Sequence, residues 1–291
     1  MCLLVVNILL DSLFTKTGIQ KDTFVKSVRA TGHSVYVSEY RRNITDFEMG
    51  IPRDEPLLVY GSIQFVEDAL KNFKCAVAFY SQRIFNCSYF MSHLPIIMFV
   101  NYNAEFCPVG VYQEQQARRR HYNKRSTADD KHYFVRSDSG KKLFAGKVIP
   151  TEQMHCFDTE SLSKDSIVLV GRAKDILAEH RYFIHRKQIV SRCITHTNGN
   201  VFTVPDKKLS LQANIPLDEF ALMVADMVDE LGHMDTMYVL DIASYTDYSG
   251  GKHKIGIMEF NATSTSDMHN CNITAIFSAM AECIEKENSC D

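Results

Sequence analysis

The chain has 291 residues, of which 45% are hydrophobic and 23% charged, enough apolar material for a full core at a length where one domain begins to become two. A formal net charge of −3 and a pI near 6.4 build in no global attraction to nucleic acid or to an anionic membrane, so any such binding must be local. Nine cysteines, at 2, 75, 87, 107, 156, 193, 271, 283 and 290, show no CxxC pair or regular spacing, which argues against a zinc site or disulfide framework and for reduced thiols in a cytoplasmic chain.

The opening MCLLVVNILLDSLF is apolar, lacks a basic leader and meets Asp11 within one strand's length, so it reads as a buried strand over 3–10 and not as a signal peptide. A short helix over 21–31 and an alternating segment over 34–38 complete a first β-α-β unit. The second has a strand over 56–60, a helix capped by Ser62 and running to Phe73 with Phe65, Ala69 and Leu70 on one face, and a strand over 76–80. The front third is therefore α/β. Residues 113–132, QEQQARRRHYNKRSTADDKH, are polar and almost free of aliphatics, as in an exposed linker. This places a front domain at 1–115, a linker at 116–132 and a second domain at 133–291. Beyond the linker, strands are expected over 133–136, 143–149, 167–170, 181–185, 188–196 and 237–242. A long helix carries Leu217, Phe220, Val224, Met227, Val228 and Leu231 at helical spacing, with Pro216 near its first turn, and Met223, Met227, Met234 and Met237 read as core filler. A last helix over 273–285 puts Ile273, Ile276, Phe277, Met280 and Ile284 on one side. No apolar run is long enough to span a bilayer.

Three constellations could carry chemistry. Asp241 ends one strand, and Glu259 and Asn261 stand on another, over 254–260, with Gly250 and Gly251 suited to the connection between them. Side chains at 259 and 261 share a strand face, so antiparallel pairing brings two carboxylates and an amide together, an all-oxygen set that magnesium accepts. Ordinary acids on a solvated rim would have the same spacing. The run FVRSDSGKKLFAGKVI, 134–149, holds a turn at Gly140 flanked by Arg136 and Lys142, which suits a polyphosphate as well as it suits a plain charged hairpin. Glu179 and Arg181 share a face of a further strand, either as an ion pair or as groups facing a cleft. His180, His185 and His196 fall on differing faces, which speaks against zinc. The basic cluster Arg118, Arg119, Arg120, Lys124 and Arg125 around Tyr122 could hold nucleic acid or an acidic peptide, or could be solvated loop.

In this order, YGSIQFV (60–66), FVRSDSGKKLFAG (134–146), EHRYFI (179–184), YVLDIA (238–243) and MEFNATSTS (258–266) resemble the ATP-grasp superfamily, specifically its arginine-and-lysine clade common in bacteriophage and bacterial genomes. The resemblance implies an α/β (α+β) fold in which an N-terminal α/β pre-domain precedes two α+β lobes that sandwich ATP. It implies Arg136 and Lys142 on the ATP phosphates, Val168, Leu169 and Val170 as a hinge whose backbone reads adenine, and Glu179 and Arg181 as a Glu-x-Arg hairpin. Arg181 and Lys142 would then be the catalytic cations, and Asp241, Glu259 and Asn261 the magnesium ligands. Ser137 stands where the family usually has proline, and Thr195 and His196 where it tends to have an aromatic and a basic residue, a place Arg192 could fill. The activity implied is ATP- and magnesium-dependent ligation of a carboxylate to an amine, on a small molecule, peptide or protein. The same fold also supports phosphotransfer without ligation, and nucleotide-gated binding without catalysis.

Overall fold

The computed structural model describes residues 5–12, 21–39, 50–52, 54–114, 132–150, 153, 162–197, 200–204, 211–232, 236–247 and 252–288. The basic cluster at 118–125 and the glycines at 250 and 251 lie outside the described residues. No described helix is long and apolar enough to cross a membrane.

Three sheets organise the chain. Strands β1 (Asn7–Asp11), β2 (Ser34–Ser38), β3 (Leu57–Tyr60) and β4 (Ala76–Val77) form a parallel sheet in the order β2-β1-β3-β4. Helices α1 (Lys21–Arg29) and α2 (Ile63–Asn72) make its crossovers. Ser62 caps α2 by accepting from the Phe65 amide at 3.4 Å, as its sequence position predicts. The buried face of α2 is Phe65, Val66 and Ala69, whereas Leu70 is exposed.

The second sheet is four-stranded and antiparallel, in the order β5-β8-β6-β7: β5 (Glu105–Pro108), β6 (His132–Ser137), β7 (Lys147–Pro150) and β8 (Ile167–Arg172). β5 precedes the boundary expected at 115/116 yet pairs with β8. β7 starts at Lys147, four residues later than the strand expected from 143, because the chain turns between Asp138 and Gly146.

The third sheet, β11-β10-β9-β12-β13, is antiparallel: β9 (Lys174–His185), β10 (Gln188–Thr197), β11 (Asn200–Val204), β12 (Met237–Asp247) and β13 (Lys254–Ala262). Strand alternation splits its residues between two faces. Tyr182, Ile184, Tyr238, Leu240 and Ile242 form a core with helix α3 (Cys87–His93) and with Leu217, Val224 and Val228 of helix α4 (Leu211–Leu231). Pro216 is the sixth residue of α4, which thus begins a turn earlier than its sequence signal indicated, and Met223 is exposed on it. On the other face Phe183, Cys193 and Val239 pack with Ile276, Phe277 and Met280 of helix α5 (Ile273–Asn288), which also meets Phe24 and Tyr60 of the parallel sheet's layer.

The outer strand β13 has a cover. Residues 96–98 form a 3-10 turn, Phe99 bridges to Ile257, and the Val100 amide donates to the Ile257 carbonyl at 3.0 Å. At Gly256 a β-carbon would lie 3.0 Å from the Val100 nitrogen and 3.1 Å from the Met98 oxygen, so any other residue would press on this backbone approach.

Candidate active site

Arg181 and Asp241 are register partners on the central strands β9 and β12. The guanidinium grips the carboxylate in a fork, Nε to Oδ1 at 2.9 Å and an η-nitrogen to Oδ2 at 2.7 Å, and its remaining arm donates to the Asp267 carbonyl at 2.8 Å. Asp241 is fully buried. Burial pushes its carboxyl up to about 6, with Arg181 pulling the other way, and Arg181, although burial opposes its charge, is held above its ordinary value by Asp241.

Glu259 faces Asp241 across the β12–β13 ladder, and Asn261 follows two residues on. One amide nitrogen of Asn261 reaches both acids, Asp241 Oδ2 at 2.9 Å and Glu259 Oε1 at 2.9 Å. The expected antiparallel pairing therefore gathers these three groups around one point. Glu259 is also held from the facing sheet: Arg136, near the end of β6, meets Oε2 at 2.7 Å, and Lys142 in the turn beyond it meets Oε1 at 2.7 Å. Burial works against the charge on Glu259, but Lys142 and Arg136 hold its carboxyl well below the usual range. Lys142 sits in the turn, with a left-handed φ of 50°.

That turn is braced from below. Asp138 accepts from the Ser88 amide at 2.6 Å and hydroxyl at 2.7 Å at the start of α3, and the Gly140 amide donates to Asn86 Oδ1 at 2.8 Å. A β-carbon on Gly140 would lie 2.9 Å from the Gln82 carbonyl. Lys141 bonds Glu67 of α2 at 3.0 Å, and Tyr80 donates to the same carboxylate. Ser137, at the family's proline position, is buried and accepts from the Ser139 amide at 3.1 Å.

The structure bears on two further expectations. Val168, Leu169 and Val170 lie on the inner strand β8 with register partners on both sides, and Val168 and Leu169 are buried. Their backbone groups serve the sheet; the pairing with β5 ends at Val170, whereas that with β6 continues to Arg172. Arg192, considered for the position of His196, projects to the other face and pairs with Asp218 of α4, which also accepts from Tyr182. His196 itself was not among the expected functional residues. A bulge between Ile194 and His196 sets His196 opposite Glu179, and its Nδ1 lies 3.1 Å from Glu179 Oε2. The hydrogen bond to Glu179 raises the imidazole pKa above its ordinary value.

Among the described residues no three His, Cys, Asp or Glu side chains cluster as a metal site. The set gathered here, two carboxylates and an amide, nonetheless fits magnesium: all its donors are oxygen once the amide turns its carbonyl inward, and both acids already converge on a single small group, the Asn261 nitrogen.

A cationic turn on one sheet facing carboxylates on another is an arrangement for gripping a metal-bound polyphosphate. The family described as ATP-grasp domain, arginine-and-lysine clade, family 2, matches residues 112–278, more than half of the chain, and the chain belongs to that family. ATP and Mg2+ are the cofactors of its enzymes. Its fold is that of D-cycloserine synthetase DcsG (TM-score 0.61, 11% identity, 96% of this chain and 99% of that one). It is also that of D-alanyl-alanine synthetase A from Vibrio cholerae O1 biovar eltor str. N16961 (0.58, 10%, 98% and 99%). A third similar structure is the ATP-grasp ligase PsnB complexed with a minimal precursor (0.54, 11%, 97% and 99%). No curated protein sequence matches the chain.

Proposed function

We propose that this chain is an ATP- and magnesium-dependent ligase that activates a carboxylate as its acyl phosphate and joins it to an amine. The observation that carries this reading is the double hold on Glu259 by Arg136 and Lys142, reaching from the opposite sheet. These cations and the acid neutralise one another; a nucleotide's phosphates would offer the cations better partners and would leave Glu259 available to a metal. Asp241, Glu259 and Asn261 would hold magnesium, which when bound offsets negative charge on the phosphate oxygens.

The remaining work belongs to the chain's own groups. Arg136 and Lys142 orient the phosphates from above. Arg181, fixed by Asp241 and the Asp267 carbonyl, presents a cation that cannot retreat, so charge developing on the transferred group is stabilised without reorganisation. The adenine edge is read by backbone beyond Val170, near Gly171 and Lys174 where β8 passes into β9. Membership of the family supports ligation in general; a similar ATP-grasp ligase whose structure holds ADP and a leader and core peptide makes a peptide substrate one candidate among small acids and amines.

Isothermal titration with a non-hydrolysable ATP analogue tests the site. Wild type should bind only with magnesium, and Glu259→Ala should lose the metal requirement together with at least about 10-fold in affinity, one lost charged contact being worth about 1.5–3 kcal/mol. Metal-independent binding of equal strength in both proteins would remove the assignment.

A further inference from the structure

His196 stands on the same face as Arg181 and Asp241, and three features suit it to accept a proton. Its Nδ1 is engaged, by Glu179 Oε2 at 3.1 Å and by the Thr195 hydroxyl at 3.2 Å. That engagement leaves Nε2 to carry the lone pair, and Nε2 has no partner among the described residues. The imidazole is 38% exposed while its carboxylate partner is 17% exposed, so Glu179 fixes the ring from inside and leaves its outer edge open. Around it stand Glu179 and Arg181 on β9, Asp241 on β12, and His269 on the turn whose Asp267 carbonyl accepts from Arg181. Arg136, Lys142 and Arg181 are cations, and Asp241 and Glu259 are tied to them. None of these five is a base for an incoming ammonium group.

We propose that His196, oriented by Glu179, is the catalytic base that deprotonates the amine substrate; this inference rests on the ligase reading. At neutral pH the amine arrives as R–NH3+ and has no electron pair to attack with. Nε2 takes one proton and leaves R–NH2. The amine nitrogen attacks the acyl carbon, the C–N bond forms, and the C–O bond to phosphate breaks with its electron pair leaving on phosphate. A second proton passes from nitrogen to the departing phosphate, so the products are the amide, HPO4(2−) and imidazolium. The imidazolium then returns its proton to solvent through its exposed edge.

The test compares two acceptors with a mixture of the twenty amino acids and their dipeptides as acid donors and ATP with magnesium. Hydroxylamine is already unprotonated at neutral pH and needs no base, whereas the amines of the mixture do. His196→Gln should slow amide formation, read as phosphate release without hydroxylamine, by about 100-fold at pH 7, while hydroxamate formation falls less than threefold. The deficit should shrink as pH rises and free amine accumulates. Glu179→Gln should give a smaller loss of the same kind, with melting temperature unchanged in both variants. Equal losses on both acceptors, or none on either, would overturn the role of His196. Absence of any hydroxamate with wild type would overturn the ligase reading and this inference with it.

Discussion

In the five-stranded sheet the strands that carry the site run for nine to twelve residues, and helices α4 and α5 cover its two faces. The four-stranded sheet opposite has strands of four to six residues and leaves Val148, Phe106 and Ile167 exposed. The charges follow the same division. Arg181 and Asp241 pair within the long sheet, both buried. Arg136 and Lys142 stand at the end of a short strand and in the turn beyond it, and their partner lies in the other sheet. One half of the site is a buried, paired platform; in the proposed function the other is a grip that exchanges partners when a ligand arrives.

The sharpest way to break this contrast is to remove each acid in turn. Asp241→Ala strands the buried Arg181 guanidinium and should cost about 3–5 kcal/mol in urea unfolding, as removing one partner of a buried pair does. Glu259→Ala leaves two cations, of which Lys142 is 47% exposed and free to turn to solvent, and should cost less, about 1–2 kcal/mol, yet it should abolish ATP turnover as completely. Equal destabilisation by the two would merge platform and grip into one unit.

Acidity separates the halves differently. The unfolded Asp241 carboxyl titrates near 3.8 and the folded one near 6, so between those values the native state binds the extra proton. Its contribution to stability is therefore present at low pH and lost as pH rises through that window, by up to about 3 kcal/mol. Glu259 has the opposite sign: its folded value lies below its ordinary one, so its stabilisation is present above the unfolded value and is lost only as pH falls through the lower one. Urea midpoints at pH 4.5 and 7 for wild type and Asp241→Asn should differ by this slope, and parallel curves would contradict it.

The smallest effect concerns the brace under the grip. Lys141→Met breaks the pair with Glu67, whose lysine is 37% exposed, so stability should change by less than about 1 kcal/mol. The ATP KM should rise a few-fold while kcat holds, because the turn carrying Lys142 loses one anchor. An unchanged KM would mean that Asp138, Ser88 and Asn86 hold the turn by themselves.

Sequence reached much of this. Strand alternation and a glycine-rich connection were enough to bring Asp241, Glu259 and Asn261 together, because hairpin partners are close in the chain. Arg181 and Asp241 are sixty residues apart, and nothing local says that β9 and β12 are neighbours; their pairing depends on which strand lies inside the sheet. The same ignorance hid the surroundings of Val168 to Val170, which reads as an apolar strand whether it lies at an edge or in the middle. His196 was hidden by one residue: simple alternation from Cys193, the partner of Arg181, sets Thr195 opposite Glu179, and only the bulge substitutes His196. The length of the turn before β7 was hidden too, because a lysine with positive φ has no signature in composition.

The cover over β13 also bears on how a substrate can approach. An outer strand ordinarily offers a row of amides and carbonyls to any extended chain, and many peptides are captured that way, by backbone alone. Here Phe99, Val100 and the close contact at Gly256 occupy that row beside Ile257. Beside Gly256 and Ile257 no extended chain can lengthen the sheet; a peptide substrate of the proposed ligase would pass this stretch over the face of the strands, where side chains meet it.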